Sequence, residues 1–376
     1  MKNFLILFLM MLFGFTEAQI TILVEKLPTN TSPETRLYLA SSLNNWNPKD
    51  VNFELKKNAE NQFQIQINAD KDFDFKITQG SWDSSEANKD GSPIDNHKVN
   101  INTVSSLKIN IKNWTRPQEK QHSTTSNVKI LSENFNIPQL KTTRRIWIYL
   151  PPNYDSTSKK YPVIYMHDGQ NLFDNATSFS GEWGVDETMN QISENHQLDA
   201  IIIGIDNGGD ARLDEYSPWK NTKYQKGGEG NQYIDFITQT LKPYIDKRYR
   251  TLPQPKNTAL IGSSMGGLIS LYGGVKYPKI FGRIGIFSPA FWFVSKDLNY
   301  FVNKNRNNLR QSKFYFIAGQ NEDAGMPQEI ENIKDLLLQK KVPERNISVK
   351  IDADGTHSET YWRREFGNAV LWLLRR

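Results

Sequence analysis

The chain has 376 residues, which exceeds one ordinary domain and favours two. Hydrophobic residues make up 38% of it and aromatic residues 12%, which is enough for a core and excludes a disordered chain. The formal net charge is only +5, from 46 Lys and Arg against 41 Asp and Glu. Because the basic residues are interspersed with acidic ones and form no stripe, we expect no nucleic-acid partner.

The first 18 residues have the pattern of a signal peptide. Lys2 supplies a positive charge, residues 4–15 form an apolar run, and Thr16-Glu17-Ala18 resembles a small-residue cleavage site. A bilayer span needs about 20 apolar residues, so we expect no stable membrane insertion after cleavage. An uncleaved anchor is the alternative. The sequence contains no cysteine, which excludes disulfides, thiolate metal sites and lipid attachment through cysteine. These features predict a secreted or periplasmic protein.

Residues 19–114 are predicted to form a small antiparallel β-sandwich. Short apolar or alternating runs at 20–24, 63–67 and 107–111 are separated by clusters of Asn, Asp, Gly, Ser and Pro. Residues 115–127 contain almost no apolar side chain and are the predicted linker.

From residue 128 to 376, apolar strand-like runs alternate with longer helical patterns. The predicted strands lie at 145–150, 163–166, 200–205, 258–262, 284–287 and 314–318. This alternation predicts an α/β domain with a mostly parallel sheet covered on both faces. In such sheets ligands bind beyond the carboxyl ends of the strands, so the loops after these runs are the candidate sites.

The strongest motif is Gly262-Ser263-Ser264-Met265-Gly266, which matches G-x-S-x-G. It lies directly between a predicted strand and a predicted helix at 268–277, where a nucleophile elbow belongs in the α/β-hydrolase fold. The central serine turns so sharply that its neighbours must be almost free of side chains. The alternative is an ordinary glycine-rich turn. The motif predicts Ser264 as the nucleophile.

A serine hydroxyl needs a base to take its proton, and the chain has five histidines. His357 follows an alternating strand-like run at 347–351 and a turn, and it precedes a predicted helix at 361–374. The order Ser…acid…His of this fold predicts a late histidine at such a place. We therefore expect His357 to be the general base.

The acid of a triad should follow a strand between the serine and the histidine. The strand at 314–318 ends in Gly319-Gln320-Asn321-Glu322-Asp323, which offers two adjacent carboxylates. We choose Glu322, with Asp323 as the alternative. Asp352 and Asp354 are rivals, although their position favours turn formation.

The loop after the strand at 163–166 is the candidate second half of an oxyanion hole. Gly169 allows close backbone approach, which predicts the N–H of Gln170 as one donor and that of Met265 as the other. His167 and Asp168 are two adjacent metal-ligand types without a third at suitable spacing, so we expect no metal. We also expect no cofactor.

With these residues in place, the catalytic half resembles the esterase D-like family of α/β hydrolases. The resemblance covers roughly 128–376 and rests on RIWIYLPP (145–152), MHDGQNLF (166–173), the elbow and DGTH (354–357). The family includes feruloyl and acetyl-xylan esterases, siderophore-lactone esterases and mycolyl transferases. The stretches GIDN (204–207) and EYSP (215–218) resemble its acyl or leaving-group wall. Many members carry an aspartate where Glu322 stands.

The β domain resembles starch-binding-type carbohydrate-binding modules through LYLASSLNNWNP (37–48) and FKITQGSW (75–82). Trp46 and Trp82 are the candidate sugar platforms, since an aromatic face stacks on the apolar side of a sugar ring. One or both could instead be core residues.

Together the two resemblances imply an esterase that removes acetyl or feruloyl-type groups from a carbohydrate. The alternatives are a siderophore-lactone esterase, or a glycan-binding protein whose hydrolase domain is inactive. The sequence does not indicate whether the protein is a monomer or an oligomer.

Overall fold

The computed structural model describes residues 18–44, 46–115, 121–179, 181–320, 322–323 and 325–375. The predicted signal peptide lies outside these residues except for Ala18, which begins the first strand. The chain divides into two compact units, Met1–Glu119 and Lys120–Arg376. Among the helices formed by the described residues, none is both long and apolar enough to cross a membrane.

The first unit is an antiparallel-rich β domain. Its strands are β1 (Ala18–Lys26), β2 (Leu37–Ser41), β3 (Glu54–Lys57), β4 (Phe63–Ala69), β5 (Phe73–Thr78), β6 (Glu86–Ala87), β7 (His97–Val99), β8 (Ser106–Asn110) and β9 (Asn113–Trp114). Seven of them form a sheet in the order β7-β5-β2-β3-β4-β1-β8, and β6 pairs with β9. Strict alternation in β1 turns Ile20, Ile22 and Val24 into the core of this unit.

One pairing in this sheet departs from the predicted antiparallel pattern. Strands β1 and β8 run parallel, with Thr21 opposite Ser106 and Val24 opposite Ile109. Parallel neighbours need a long connection, and the strands between β1 and β8 in sequence provide it.

The second unit has the predicted α/β pattern. Its strands are β10 (Val128–Ile137), β11 (Thr142–Tyr149), β12 (Val163–His167), β13 (Ile201–Ile205), β14 (Thr258–Ser263), β15 (Arg283–Phe287), β16 (Lys313–Gly319) and β17 (Ile347–Asp352). Its helices are α1 (Val185–His196), α2 (Arg212–Glu215), α3 (Gly230–Phe236), α4 (Lys242–Arg248), α5 (Met265–Lys276), α6 (Ser295–Lys304), α7 (Met326–Gln339) and α8 (Glu359–Leu374). A π-helical segment, Ile237–Leu241, joins α3 to α4.

These strands form one sheet in the order β10-β11-β13-β12-β14-β15-β16-β17. Pairing is parallel from β13 to β17 and antiparallel at the β10–β11 and β11–β13 edge, which confirms the mostly parallel sheet. Along β13, Ile201 and Ile203 enter one apolar core and Ile202 enters the other. Both faces of the sheet are therefore covered. The carboxyl ends of β12, β14, β15 and β16 lie side by side along one end of the sheet.

Residues 121–127 belong to the second unit, although their composition predicted part of a linker. The backbone N–H of Ser123 donates to Asp174 at 3.2 Å, and that of Thr125 donates to Asp186 of α1 at 2.7 Å. Both carboxylates are buried, so this polar segment pairs with buried acids, which composition does not reveal. Residues 116–120 of the predicted linker lie outside the described residues.

Candidate active site

Ser264 occupies a sharp turn between β14 and α5. Its backbone has φ 56° and ψ −121°, a conformation that costs energy for any residue with a side chain and is typical of a nucleophile elbow. The neighbouring strand holds this turn in place. The Ser264 N–H donates to the carbonyl of Phe287 at 2.9 Å, and the Ala290 N–H donates to the carbonyl of Ser264 at 3.0 Å. The structure thus places Ser264 in the predicted strand–turn–helix context.

Glycine is required at the start of the elbow by close packing. A Cβ atom at Gly262 would lie 2.7 Å from Cδ2 of His167 and 2.8 Å from the carbonyl carbon of Gly266. Neither distance is tolerated between carbon atoms, and the backbone of Gly266 cannot move without moving the first turn of α5. The absence of a side chain at Gly262 therefore allows α5 and the end of β12 to pack closely against the turn.

The histidine and the acid meet on the loops after β17 and β16. Nδ1 of His357 lies 2.8 Å from Oε2 of Glu322, whose side chain is only 1% exposed. The other carboxylate oxygen, Oε1, accepts hydrogen bonds from Ser288 Oγ at 2.9 Å and from the Gly319 N–H at 2.5 Å. Asp323 instead accepts the N–H of Gly325 at 2.8 Å, as a turn former does. The geometry pairs His357 with Glu322.

The two rival carboxylates have other partners. Oδ2 of Asp352 accepts a hydrogen bond from the Tyr361 hydroxyl at 2.9 Å. Asp354 forms an ion pair with Arg364 at 2.8 Å.

Two residues that the sequence analysis missed support this pair. The indole N–H of Trp362 donates to Ser288 Oγ at 2.8 Å, and Ser288 Oγ in turn contacts Glu322. The ring of Trp362 also packs edge-on against His357, with centroids 5.1 Å apart and an interplanar angle of 82°. Ser288 directly follows β15, and this position beyond the carboxyl end of a strand could have marked it as a site residue in the sequence. Trp362, inside α8, carried none.

Ser264 and His357 line one cleft of about 770 Å³. Its aromatic lining is Phe179, Trp183 and Trp362. Its polar lining includes Gln170, Asn171, Thr177, Asn207, Asp210, Arg212 and Glu359. Burial raises the pKa of Glu359 above its ordinary value. The cleft therefore offers both ring surfaces and hydrogen-bonding groups next to the serine.

The predicted oxyanion donors are Gln170, which lines the same cleft as Ser264, and Met265, which directly follows Ser264 in the chain. Gln170 lies in a 3₁₀ turn, Gly169–Asn171, that directly follows β12. A Cβ atom at Gly169 would lie 2.8 Å from the backbone nitrogen of Asp206, and the side-chain oxygen of Gln170 accepts the Asn207 N–H at 3.1 Å. Met265 is the first residue of α5, where backbone N–H groups have no acceptor within the helix.

His167 and Asp168 form structural contacts. Nδ1 of His167 lies 2.8 Å from the Tyr233 hydroxyl, and burial lowers the pKa of His167 to about 3, so the ring stays neutral. Asp168 forms a two-oxygen ion pair with Arg212 at 2.7 and 2.9 Å and also accepts a hydrogen bond from Asn207 at 2.7 Å. Although burial acts to raise the pKa of Asp168, Arg212 and these hydrogen bonds keep it below its ordinary value. The ion pair with Asp168 therefore holds the Arg212 side chain at the cleft.

In the first unit, Trp46 and Trp82 lie side by side. Their ring centroids are 6.3 Å apart with an interplanar angle of 42°, and Trp82 is 37% exposed. Neither ring belongs to the apolar core that the described residues of this unit form.

Comparisons with known proteins identify the family to which the second unit belongs. Residues 137–373 match the model of a family described as "Putative esterase". The chain is 28% identical over 243 residues to the uncharacterized protein YbbA of Bacillus subtilis (strain 168), which covers 61% of this chain and 92% of YbbA.

Two solved structures share the fold. A ferulic acid esterase superposes with a TM-score of 0.51 at 19% identity, covering 66% of this chain and 99% of that one. The enterochelin esterase of Shigella flexneri superposes with a TM-score of 0.56 at 14% identity, covering 95% of this chain and 92% of that one. Since the family model spans more than half of its residues, the chain belongs to this esterase family of the α/β-hydrolase fold.

Proposed function

We propose that the protein hydrolyses carboxylic esters with Ser264 as nucleophile, His357 as general base and Glu322 as the acid that orients the base. The observation that carries the proposal is the 2.8 Å contact between His357 Nδ1 and buried Glu322, at the cleft where the strained elbow presents Ser264.

The chemistry follows from the tautomer that Glu322 selects. An ionised carboxylate accepts the Nδ1–H of His357, which leaves Nε2 free of a proton and able to take the one from Ser264 Oγ. The oxygen then attacks the ester carbonyl, and the N–H groups of Met265 and Gln170 stabilise the resulting oxyanion. Collapse expels the alcohol, which receives its proton from His357. Water, activated in the same way, releases the acid from the acyl-enzyme.

Ser264→Ala tests the nucleophile against its neighbour. With p-nitrophenyl acetate we expect turnover to fall by a factor on the order of 10⁴ or more, while circular dichroism stays unchanged. Ser263→Ala is the matched control, and it should retain activity. A dead Ser263→Ala enzyme with an active Ser264→Ala enzyme would reverse the assignment. A wild-type protein without any turnover would instead favour a glycan-binding protein with an inactive hydrolase domain.

For the substrate we propose an acylated carbohydrate of the acetyl or feruloyl type. Phe179, which is 78% exposed, provides a ring suited to an aromatic acyl group, and the nearly buried rings of Trp183 and Trp362 also line the cleft. Asn207 and Arg212 provide donors suited to sugar hydroxyls. The fold shared with a ferulic acid esterase is consistent with this substrate class.

The second candidate is hydrolysis of a siderophore lactone. It is favoured by coverage, since the match to the enterochelin esterase spans 95% of this chain and therefore includes the β domain. A release assay on acetylated xylan, feruloylated arabinoxylan and a catecholate trilactone separates the candidates. Preference for the trilactone by two orders of magnitude or more in kcat/KM would reject the carbohydrate proposal.

We further propose that the β domain binds glycan through Trp46 and Trp82, and that the protein is secreted or periplasmic. The adjacent, partly exposed rings support the first part, and the pattern of residues 1–18 supports the second. Trp46→Ala and Trp82→Ala should weaken retention on insoluble starch or xylan while hydrolysis of soluble esters stays unchanged. Equal retention of wild type and both variants would leave these rings without a binding role.

A further inference from the structure

Three carboxylates converge at the start of α1. Glu182 precedes the helix, and Asp186 and Glu187 lie in its first turn. Each offers one oxygen atom, and these three atoms all lie within 4.8 Å of one another. Like charges at this distance repel each other strongly when they are removed from water.

The cluster is buried, and part of it lacks hydrogen-bond donors. Asp186 is 0% exposed and Glu182 is 9% exposed. Within the part of the chain that the structure describes, no donor reaches Oδ1 of Asp186, Oε1 of Glu182 or Oε2 of Glu187. A buried carboxylate oxygen without a donor destabilises a fold unless a positive charge lies next to it.

The second oxygen of each carboxylate faces protein groups. Ser123 Oγ donates to Oε2 of Glu182 at 3.0 Å, and the Thr125 N–H donates to Oδ2 of Asp186 at 2.7 Å. The Arg363 guanidinium lies 3.8 Å from Oε2 of Glu182 and 3.7 Å from Oε1 of Glu187. One arginine at these distances cannot balance three carboxylates, and it contacts the oxygens opposite to the unpaired ones.

We propose that Glu182, Asp186 and Glu187 bind a calcium ion. Calcium–oxygen bonds of about 2.3–2.6 Å place ligands on opposite sides of the ion about 4.6–5.2 Å apart, so oxygens within 4.8 Å of one another fit around one ion. The hydroxyl of Thr125, whose backbone N–H donates to Asp186, is also buried and unpaired among the described residues, which makes it the candidate neutral ligand. Water completes the six to eight ligands that calcium takes. Magnesium is a poorer match, because its shorter bonds of about 2.0–2.1 Å demand a tighter octahedron.

The ion would act on stability and not on the ester chemistry. It would connect the segment containing Ser123 and Thr125 to the first turn of α1 and to Glu182. The residue after Glu182 is Trp183, whose ring lines the cleft and packs on Trp362 at 5.6 Å between centroids. Bound calcium would therefore hold one wall of the cleft in place.

The test uses the full chain, stripped with EDTA and returned to calcium-free buffer. Addition of CaCl₂ should raise Tm by roughly 5–10 °C at a hundredfold excess over the dissociation constant. Terbium(III), which binds calcium sites, should give luminescence on excitation of tryptophan, because Trp183 adjoins the site. Glu187→Gln should abolish both responses. The matched control Glu194→Gln, which removes an exposed carboxylate from the same helix, should keep them.

Three results would overturn the proposal. The first is wild type without a Tm shift at millimolar calcium, the weakest range of protein calcium sites. The second is an equal shift in wild type and Glu187→Gln, which would place the ion elsewhere. The third is a larger stabilisation by magnesium than by calcium. If Glu187→Gln does not fold, Glu182→Gln takes its place, and its terbium signal decides. None of these readouts depends on ester hydrolysis.

Discussion

Replacing Glu322 by glutamine is expected to leave the fold intact and to remove catalysis through the wrong histidine tautomer. The Oε1 position accepts two hydrogen bonds, from the Gly319 N–H and from Ser288 Oγ. The amide oxygen of Gln must occupy that position, because an NH₂ group there would face the Gly319 N–H and leave a buried donor unpaired, at a cost of about 1–3 kcal/mol. The NH₂ group therefore faces Nδ1 of His357.

Nδ1 then has to accept a hydrogen bond, so the ring proton moves to Nε2, which can no longer take the proton of Ser264. Loss of the orienting carboxylate in a triad of this kind costs about 10⁴ in kcat, or about 5.4 kcal/mol. The assay is the initial rate with p-nitrophenyl acetate for wild type, Glu322→Gln and Asp323→Asn. Asp323 caps the Gly325 N–H and does not contact His357 among the described residues, so its variant should stay within about threefold of wild type. A Glu322→Gln enzyme within tenfold of wild type, or a weaker Asp323→Asn enzyme, would refute the reasoning.

Ser288→Ala should lower kcat about tenfold with little change in KM, because it removes one hydrogen bond that positions Glu322. An unchanged kcat would show that the Gly319 N–H is sufficient to hold the carboxylate. Gly262→Ala should lower the free energy of unfolding by about 1–3 kcal/mol in urea titrations, since its Cβ would lie 2.7 Å from His167; unaltered stability would mean that the elbow relaxes freely. Phe179→Ala should raise KM for a feruloyl ester about fivefold and leave that for an acetyl ester unchanged, through loss of a ring contact; equal effects on both esters would count against an aromatic acyl site.

The sequence by itself determined the strand–helix order of the second unit and the position of the elbow. Both are local properties, because they depend on residues that are close together in the sequence. These residues form an apolar strand, a turn that only small residues tolerate, and a helix. The parallel sheet followed from the same alternation. The rule that sites lie beyond strand ends also predicted the loops that carry His357 and Glu322.

Only the tertiary structure decided which carboxylate His357 contacts. Glu322 and Asp323 are adjacent in sequence, and the choice between them depends on the direction of each side chain. The Glu322 carboxylate is held by the nearby Gly319 N–H and by Ser288, which follows a different strand. The contact between Trp362 and Ser288 is equally invisible in the sequence.

Residues 121–127 are a second case in which the sequence alone did not reveal the partners of polar groups. Their polar composition predicted a linker, yet Ser123 and Thr125 donate to the buried acids Asp174 and Asp186. A hydrogen-bond donor has the same letter whether its acceptor is water or a carboxylate far away in sequence. Composition and periodicity describe how a segment relates to solvent and to its neighbours along the chain, whereas the partner of a polar group is a property of the folded arrangement.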